Sequence, residues 1–253
     1  MRRNHIFMNV KEEVEKRVEF IKQVLKESRA DGIILGNSGG KDCTLVTILS
    51  KMATDNVVNV IMPCESKRNY TVDRDDALKL SKKFDIETYE IDLTDTKLML
   101  KDAVKDYCGD KSNMHFNNMN PRLRMITLYT IAQSKNLLVA GTGNLSEMTM
   151  GYFTKWGDGA YDFDPISDLT VSEVYEMLRY LDAPTEIIEK EPSAGLYEGQ
   201  TDEKEMGVTY ASIEEFIKTG KGPDSDKIKS AYLKTAHKRS LPKVYRRIEL
   251  DVE

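Results

Sequence analysis

The densest group of chemically useful residues is the short glycine-rich segment Ser38-Gly39-Gly40-Lys41-Asp42. It follows the apolar run DGIILG, which is typical of a buried strand, and it precedes TLVTILSKMA, which is typical of a buried helix. Glycines let the backbone turn sharply and approach a ligand closely. A helix start presents unpaired N–H groups and the positive end of the helix dipole, which favour a phosphate. Asp42 adds a carboxylate that would hold Mg²⁺ beside those phosphates.

The spacing of this segment excludes two common phosphate-binding patterns, because neither G-x-x-x-x-G-K-[ST] nor G-x-G-x-x-G is present there. A glycine-rich turn without a ligand is the plain alternative. The pattern S-G-G-x-D resembles the pyrophosphate loop of N-type ATP pyrophosphatases, which cut ATP between the α and β phosphates. That resemblance implies nucleotide chemistry and leaves the second substrate open.

The elements around the segment alternate between helix and strand patterns. An amphipathic helix opens the chain, with Val10, Val14, Val18, Ile21 and Leu25 on one face. Further strands are predicted at 57–62, 86–91 and 136–141, and further helices at 73–84, 94–107 and 122–135. This alternation predicts an α/β protein with a parallel sheet and helices on both faces. Such a Rossmann-like sheet agrees with the adenine nucleotide alpha hydrolase-like fold of the N-type pyrophosphatases.

The second half of the chain is less periodic. Residues 142–168 hold many Gly, Asp and Thr, and a loop of that length in a compact domain is usually functional. Thr170-Val-Ser-Glu173 predicts a capping box at the start of a helix. Residues 190–208 form a second irregular stretch, and two helices separated by GKGPD follow it.

Composition narrows the class of protein. The chain has 37 Lys and Arg against 42 Asp and Glu, so a general nucleic-acid-binding surface is not expected. Its three cysteines form no C-x-x-C pair, which argues against a zinc site and favours a reducing cytoplasm. The first residues lack the apolar core of a signal peptide, and no apolar run is long enough to span a membrane. We therefore expect a cytoplasmic protein with neither nucleic-acid nor membrane partners.

A second set of motifs identifies a narrower family. The motifs, in chain order, are Asn120-Pro-Arg-Leu-Arg-Met125, Gly141-Thr-Gly-Asn-Leu-Ser-Glu147, Gly151-Tyr-Phe-Thr-Lys-Trp-Gly-Asp-Gly-Ala-Tyr-Asp162, Pro192-Ser-Ala-Gly-Leu196, Gly199-Gln-Thr-Asp-Glu203 and His237-Lys-Arg239. Their order and spacing closely resemble NAD synthetases. No glutaminase domain is expected, so residues 1–253 resemble one domain of the ammonia-dependent form.

The resemblance implies a reaction in two steps. The nicotinate carboxylate of deamido-NAD attacks the α-phosphate of ATP, pyrophosphate leaves, and a nicotinyl adenylate forms. Ammonia then displaces AMP to give the amide. Carboxylate and triphosphate are both anions, so the site must neutralise charge before the attack. Mg²⁺ is the implied cofactor, ATP the implied co-substrate, and a homodimer with the dinucleotide site near the subunit interface the implied assembly.

The resemblance also assigns roles residue by residue. Ser38, Gly39, Gly40 and Asp42 would hold the β and γ phosphates, and Asp42 and Glu147 would bind Mg²⁺. Asp42, Lys155 and Asp158 would be catalytic, with Asp158 accepting a proton from ammonia. The remaining ATP-binding residues would be Gly36, Asn37, Lys41, Cys43, Thr142 and Ser193. The residues that bind deamido-NAD would be Arg122, Lys155, Asp162, His237 and Lys238.

Several of these residues also have a purely structural interpretation. Glu147 would then be a solvated charge near a helix start, and Asp162 a turn former. Lys155 would rest on the face of Trp156, and His237 would belong to an exposed basic end. Arg122 and Arg124 point to different faces of their helix, so one of them is expected to serve structure, and the spacing favours Arg122 for the ligand.

Three positions depart from the family pattern. Cys43 replaces a usual serine, and its place at a helix start predicts a lowered pKa and oxidisability. Lys41 replaces an apolar residue, and Val171 replaces a lysine that binds ATP in the family. A valine cannot neutralise a phosphate, so we hypothesise that Lys41 compensates. Two alternatives stay open: a tRNA-modifying pyrophosphatase of the same fold, and a nucleotide-binding homologue with little turnover.

Overall fold

The computed structural model describes residues 8–65, 71–109, 114–190 and 201–245. Four strands lie in these ranges: β1 (Gly32–Gly36), β2 (Val57–Ile61), β3 (Glu87–Glu90) and β4 (Leu137–Val139). The α-helices are α1 (Val10–Ser28), α2 (Lys41–Ala53), α3 (Val72–Phe84), α4 (Thr94–Val104), α5 (Met114–Asn117), α6 (Met119–Lys135), α7 (Leu145–Met150), α8 (Val171–Tyr180), α9 (Thr185–Glu189), α10 (Asp202–Met206), α11 (Tyr210–Thr219) and α12 (Ser225–Lys234). Short 3₁₀ turns cover Lys105–Tyr107 and Ala236–Lys238.

The strands form one parallel sheet in the order β3-β2-β1-β4. Ile33 of β1 is in register with Val57 of β2 and with Leu138 of β4. Strands β2 and β3 therefore lie on one side of β1, and β4 pairs with β1 on the other side. Parallel sheets of this kind bind ligands beyond the carboxyl ends of the strands at such a reversal. The predicted strands and the parallel sheet are confirmed.

Helices cover both faces of the sheet, as predicted. On one face, Ile33, Leu35 and Val57 pack with side chains of α1, α2 and α8 in a large apolar cluster. On the other face, Ile34, Val58 and Val60 pack against Leu123, Leu128 and Ala132 of α6. Because successive strand residues point to opposite faces, a strand buried on both sides is mostly apolar, as GIILG is.

A third apolar cluster joins α7 and α8 to the C-terminal helices α10–α12. Ile213 and Ile228 are fully buried in it. Thr170 and Glu173 form the predicted capping box at the start of α8. The break at GKGPD separates α11 from α12, also as predicted.

Helix positions differ from the prediction at several points. Helix α2 begins at Lys41, inside the glycine-rich segment, and α6 begins at Met119. The stretch 142–168, predicted as a loop, contains the six-residue helix α7. A helix this short shows too little periodicity to be recognised in sequence. None of the helices in the described ranges combines the length and apolar character needed to cross a bilayer.

Candidate active site

A cleft of about 830 Å³ opens beyond the carboxyl ends of β1 and β4. Gly36 and Asn37 line it where β1 ends, and Gly141 and Thr142 line it just past β4. The cleft is therefore at the reversal of strand order, and its volume is in the range of nucleotide and cofactor sites. The sheet brings these two segments together although they are about 100 residues apart in the chain.

The glycine-rich turn between β1 and α2 has the geometry of an anion loop. Gly39 has a φ of 68°, and a Cβ there would lie 2.3 Å from the carbonyl oxygen of Asp73. Only glycine fits that conformation and that approach. The Asn37 side chain accepts a hydrogen bond from the Gly39 N–H at 3.0 Å, which holds the turn. No side chain in the described ranges caps α2 at Gly40, so the first N–H groups of the helix are available for phosphate.

Two acidic side chains meet at the base of this turn. Asn144 Nδ2 donates to Asp42 Oδ1 at 3.1 Å, and the Asn144 main-chain N–H donates to Glu147 Oε2 at 3.3 Å. Asn144 is fully buried and is the N-cap of α7, where it forms a capping box with Glu147. One asparagine thus joins a carboxylate from α2 to a carboxylate from α7. Asp42 and Glu147 therefore lie close together, linked through Asn144.

Lys41 lies between the same two carboxylates. Its ammonium nitrogen is 2.7 Å from Asp42 Oδ2 and 4.0 Å from Glu147 Oε1. It also lies 5.7 Å from the centre of the Tyr210 ring. Burial lowers the pKa of Lys41, but the charges of Asp42 and Glu147 outweigh burial, and the net shift is upward. Lys41 is therefore an ammonium ion in the cleft wall.

The electrostatics suit a divalent cation. Burial, and then the neighbouring charge of Asp42, raise the pKa of Glu147 well above its usual range. Such crowding of negative charge is relieved by a metal ion. The described residues contain no group of three or more His, Cys, Asp and Glu arranged to hold a metal. Two carboxylates completed by substrate phosphates are the usual protein contribution to a Mg²⁺ site, so Asp42 and Glu147 fit that ion.

Cys43 does not have the lowered pKa that its position suggested. The thiol is buried and contacts Ser38 Oγ at 3.4 Å and the carbonyl oxygen of Gly40 at 3.2 Å. Burial raises its pKa, and this effect exceeds the stabilisation from those hydrogen bonds. The expectation of a lowered thiol pKa was wrong, because desolvation of the thiolate outweighs the hydrogen bonds that stabilise it.

The opposite wall of the cleft carries cationic side chains from distant segments. Lys155 Nζ donates to the carbonyl oxygen of His237 at 2.6 Å and lies 5.1 Å from the Trp156 ring centre. Lys238 Nζ donates to the carbonyl oxygens of Gly151 and Phe153 at 2.7 and 2.6 Å. These contacts connect the segment after α7 to the 3₁₀ turn that follows α12. Lys155, His237 and Lys238 all line the cleft.

Arg122 and Arg124 differ in exposure and in their hydrogen-bond partners. Arg122 is exposed at the mouth of the cleft, with Nη2 3.5 Å from the carbonyl oxygen of Lys155. Arg124 is half-buried, and its Nε donates to the carbonyl oxygen of Met62 at 3.1 Å. Burial lowers the pKa of Arg124. Both arginines line the cleft, so Arg124 also faces the ligand space that was expected for Arg122 alone.

Asp158 and Asp162 have different surroundings. Asp158 lines the cleft, accepts a hydrogen bond from the Thr154 N–H at 2.9 Å, and has its pKa raised by the walls that surround it. Asp162 does not line the cleft. It accepts hydrogen bonds from the Val139 N–H at 2.8 Å and from the Tyr129 hydroxyl at 3.2 Å, so it secures the end of β4. Ser193, the other predicted phosphate contact, lies outside the described residues.

Sequence reasoning missed three residues of this site. Asn144 was visible as the first residue of an N-x-x-E capping box, a pattern that was used at Thr170 but not here. Asp202 is buried beside the Lys41 ammonium and accepts a hydrogen bond from the Tyr210 hydroxyl at 2.8 Å. Asp202 belongs to the Gly199–Glu203 motif but was given no role, and no local pattern marks Tyr210; both reach the site through the packing of α10 and α11.

The position of the anion loop and of the paired carboxylates, at the reversal of a parallel sheet, is typical of one class of protein: α/β enzymes that bind a nucleoside triphosphate. The comparison with known protein families is more specific. The NAD synthase family model matches residues 13–249, and the chain belongs to that family.

The names of two similar proteins agree with membership of the NAD synthase family. The NH₃-dependent NAD⁺ synthetase of Carboxydothermus hydrogenoformans is 40% identical over 241 residues, covering 94% of this chain and 98% of the relative. The enzyme of the same name from Archaeoglobus fulgidus is 40% identical over 247 residues, with the same coverage.

Solved structures show the same fold. The NMN synthetase of Francisella tularensis superimposes with a TM-score of 0.89 at 34% identity, over 94% of this chain and 99% of that one. The NH₃-dependent NAD synthetase of Campylobacter jejuni superimposes with a TM-score of 0.75 at 30% identity, over 94% and 100%. The fold is therefore the adenine nucleotide alpha hydrolase-like fold of the NAD synthetases.

Proposed function

We propose that this protein is an ammonia-dependent NAD synthetase, a ligase that uses ATP to convert the nicotinate carboxylate of deamido-NAD into an amide. One observation carries the proposal: the uncapped start of α2 faces a cleft in which Asp42 and Glu147 lie within 4.0 Å of one cation, Lys41 Nζ. A triphosphate bound at the loop would have its β and γ phosphates next to both carboxylates.

The first step requires two anions to meet. The main-chain N–H groups from Ser38 to Cys43 would orient the β and γ phosphates, so that the α-phosphate faces the rest of the cleft. Asp42 and Glu147 would hold Mg²⁺, which neutralises the charge that develops on the leaving pyrophosphate. Thr142, just past β4, lines the cleft and is proposed to contact ATP. We propose Ser193 as a further phosphate contact.

The acid substrate would bind along the other wall. Lys155, Lys238 and Arg122 line that wall and supply positive charge for the phosphates and carboxylate of a pyridine nucleotide, and His237 lines it with them. Asp162 was also predicted to bind deamido-NAD, but it does not line the cleft; we propose that it acts by fixing the end of β4 through Val139.

Asp158 is proposed to receive a proton from ammonia in the second step. Desolvation raises the pKa of Asp158 above its usual value, and a carboxylate with a raised pKa is a better proton acceptor. Lys238 and Arg124 are the cationic neighbours that hold this rise in check. They would also keep the carboxylate oriented toward the acyl adenylate.

Assembly and location are proposals of the same kind. A homodimer is proposed from the family resemblance, with the dinucleotide site near the subunit interface. A cytoplasmic location is proposed from the cysteines, since all three are free and two of them, Cys43 and Cys64, are buried thiols.

A second candidate differs only in the acid. The NMN synthetase of Francisella tularensis superimposes on this chain with a higher TM-score, 0.89, than the NAD synthetase of Campylobacter jejuni, 0.75. The corresponding acid substrate here would be nicotinate mononucleotide, which lacks the adenylate half of deamido-NAD. The phosphate loop and both carboxylates would serve either acid equally, because they act on ATP.

The deciding experiment measures AMP and pyrophosphate release from ATP, Mg²⁺ and ammonia, with deamido-NAD, with nicotinate mononucleotide, and with neither. The proposal predicts product release that requires deamido-NAD and a larger kcat/KM for it than for the mononucleotide. The reverse preference would select the second candidate. No release with either acid at saturation would contradict the ligase proposal, and salt-sensitive tRNA binding would then favour a tRNA-modifying enzyme.

A further inference from the structure

Lys41 occupies the position that a metal ion would take between the two carboxylates. Its side chain is only 6% exposed, and its Nζ contacts Asp42 Oδ2 at 2.7 Å and approaches Glu147 Oε1 to 4.0 Å. The second oxygen of each carboxylate is already engaged, because Asn144 donates to Asp42 Oδ1 and to Glu147 Oε2. The oxygens of Asp42 and Glu147 that accept no hydrogen bond from Asn144 are those that face Lys41, and they are open to a bridging cation.

The surroundings of Lys41 hold the ammonium at this place. The Tyr210 ring centre is 5.7 Å from Nζ, and the charge of buried Asp202 also acts on Lys41. Lys41 thus faces three acidic side chains, those of Asp42, Glu147 and Asp202. Displacing the ammonium without giving it a new anion would leave a positive charge in a largely dry wall, which is unfavourable.

A bound triphosphate would change this balance. Lys41 is the first residue of α2, directly after the anion loop, so its ammonium can turn from Asp42 to a phosphate at that loop. Position 171 supplies no competing cation, because Val171 is buried in the third apolar cluster, away from the cleft. Lys41 thus has the carboxylates of Asp42 and Glu147 as partners without nucleotide, and a phosphate as a possible partner with nucleotide.

We propose that Lys41 is an internal counter-cation of Asp42 and Glu147, so that Mg²⁺ binds weakly to the free protein and strongly only together with ATP. This rests on the proposed function, since it takes Asp42 and Glu147 as the metal-binding pair. The coupling is reciprocal: the nucleotide strengthens metal binding by the factor by which the metal strengthens nucleotide binding. Lys41 would therefore make strong metal binding depend on bound nucleotide.

The test measures Mn²⁺ binding to the full-length protein by EPR, first with the metal alone and then with α,β-methylene-ATP, which cannot be cleaved between its α and β phosphates. Two neutral variants, Lys41→Met and Lys41→Gln, remove the charge with little change in volume. We expect both to bind Mn²⁺ alone at least about tenfold more tightly than the wild type, since one lost ionic contact of about 1.4 kcal/mol gives that factor. The gain from adding the analogue should shrink in both.

The matched control is Lys190→Met. Lys190 also lines the cleft with a largely covered side chain, but its Nζ pairs with Asp73 at 2.7 Å and Asp76 at 2.9 Å rather than with Asp42 or Glu147. We expect Mn²⁺ affinity of Lys190→Met, without nucleotide, to stay near the wild-type value. Equal Mn²⁺ affinity in the wild type and both Lys41 variants would overturn the proposal.

The wild type alone provides a second measurement that does not depend on the variants folding. Mg²⁺ without nucleotide should raise its melting temperature little, whereas Mg²⁺ with the analogue should raise it by more than the analogue alone. Tight Mn²⁺ binding without nucleotide would overturn the proposal for Lys41 and leave the metal site intact. Failure of Mn²⁺ to bind even with the analogue would overturn the metal role of Asp42 and Glu147 as well.

Discussion

The two walls of the cleft are built by different means. The phosphate corner, which comprises residues 37–43 with Asn144 and Glu147, is attached to strand ends and helix starts, and its polar groups bond one another in a largely buried network. The substrate rim, which comprises Arg122, Lys155, His237 and Lys238, lies on an exposed helix start, an irregular segment and a 3₁₀ turn. Its lysines bond main-chain carbonyl oxygens rather than acidic partners.

The difference matches the two ligands that the walls are proposed to hold. Chemistry at the α-phosphate needs fixed groups, and groups mounted on regular elements are held more accurately than groups on loops. Binding of a second substrate tolerates cations that change partners, because a lysine bonded to a carbonyl oxygen keeps its charge available for a ligand. Mutations should therefore lower kcat at the corner and raise KM at the rim.

The largest expected effect is that of Asp42→Asn. It removes one of two charges at the metal pair while preserving shape, so kcat should fall by about 10³-fold or more. AMP release at saturating substrates measures it. Asp55→Asn is the control, because Asp55 lies just after the other end of α2 with a fully exposed side chain. Similar kcat values for Asp42→Asn and the wild type would contradict the prediction that substitutions in the phosphate corner lower kcat.

Gly39→Ala should be the next most harmful change. At a φ of 68° an alanine is strained, and its Cβ would lie 2.3 Å from the Asp73 carbonyl oxygen. We expect a loss of about 2–4 kcal/mol in unfolding free energy, measured by urea denaturation, together with weaker ATP binding. Gly40→Ala is the comparison, since a Cβ there meets only the mobile Ser38 Oγ at 3.2 Å. Equal losses in both would contradict the strain argument.

Two substitutions of Asn144 distinguish its role as the N-cap of α7 from its hydrogen bond to the proposed metal ligand Asp42. Asn144→Ala removes the α7 cap and the bond to Asp42, which should reduce stability by about 1 kcal/mol and metal affinity by about 10–100-fold. Asn144→Ser keeps a capping oxygen but cannot donate to Asp42 as the amide does. We expect Asn144→Ser to retain stability and to lose metal affinity, as measured by thermal unfolding and Mn²⁺ titration in the presence of nucleotide. Retained metal affinity in both would show that the bond to Asp42 is dispensable.

Lys238→Met tests the rim. It removes a cation and two bonds to the carbonyl oxygens of Gly151 and Phe153, so KM for the acid substrate should rise about tenfold while KM for ATP changes little. Steady-state kinetics with each substrate varied in turn distinguishes these. Lys234→Met, on the exposed surface of α12, should leave both constants unchanged. A fall in kcat without a rise in KM would contradict this, because that is the effect expected of the phosphate corner and not of the substrate rim.

The last prediction is a pH dependence of stability, which follows from the raised pKa of Asp164. Burial raises the pKa of Asp164 to about 7, although the Gly143 and Ile166 N–H groups donate to its carboxylate. A raised folded-state pKa stabilises the protein below the unfolded value of about 3.9 and loses that stabilisation as pH rises through 7. Relative to Asp164→Asn, the wild type should lose about 1–3 kcal/mol between about pH 5 and pH 8. Parallel stability curves would contradict this.

Much of the fold could be predicted because its signals are local. The apolar runs of β1 and β2, the periodic face of α1 and the capping box at Thr170 were each visible in short windows. Helix α7 was not predicted, because six residues in a polar segment show no periodicity, although its N-x-x-E start was a usable signal.

The candidate site was only partly predictable. The phosphate loop and the pairing of Asp42 with Glu147 followed from motif spacing and resemblance. The absence of Asp162 from the cleft lining and the raised pKa of Cys43 did not, because both depend on what surrounds a side chain after folding.

Local sequence therefore specified the elements, the anion loop and the residues that end each strand, since these depend on neighbours a few positions away. The tertiary structure alone decided that Lys41 lies between two carboxylates 105 residues apart, and that Asp202 and Tyr210 enclose it. The reason is physical. Burial and charge pairing are properties of a packed environment, and that environment exists only after the sheet and helices have assembled.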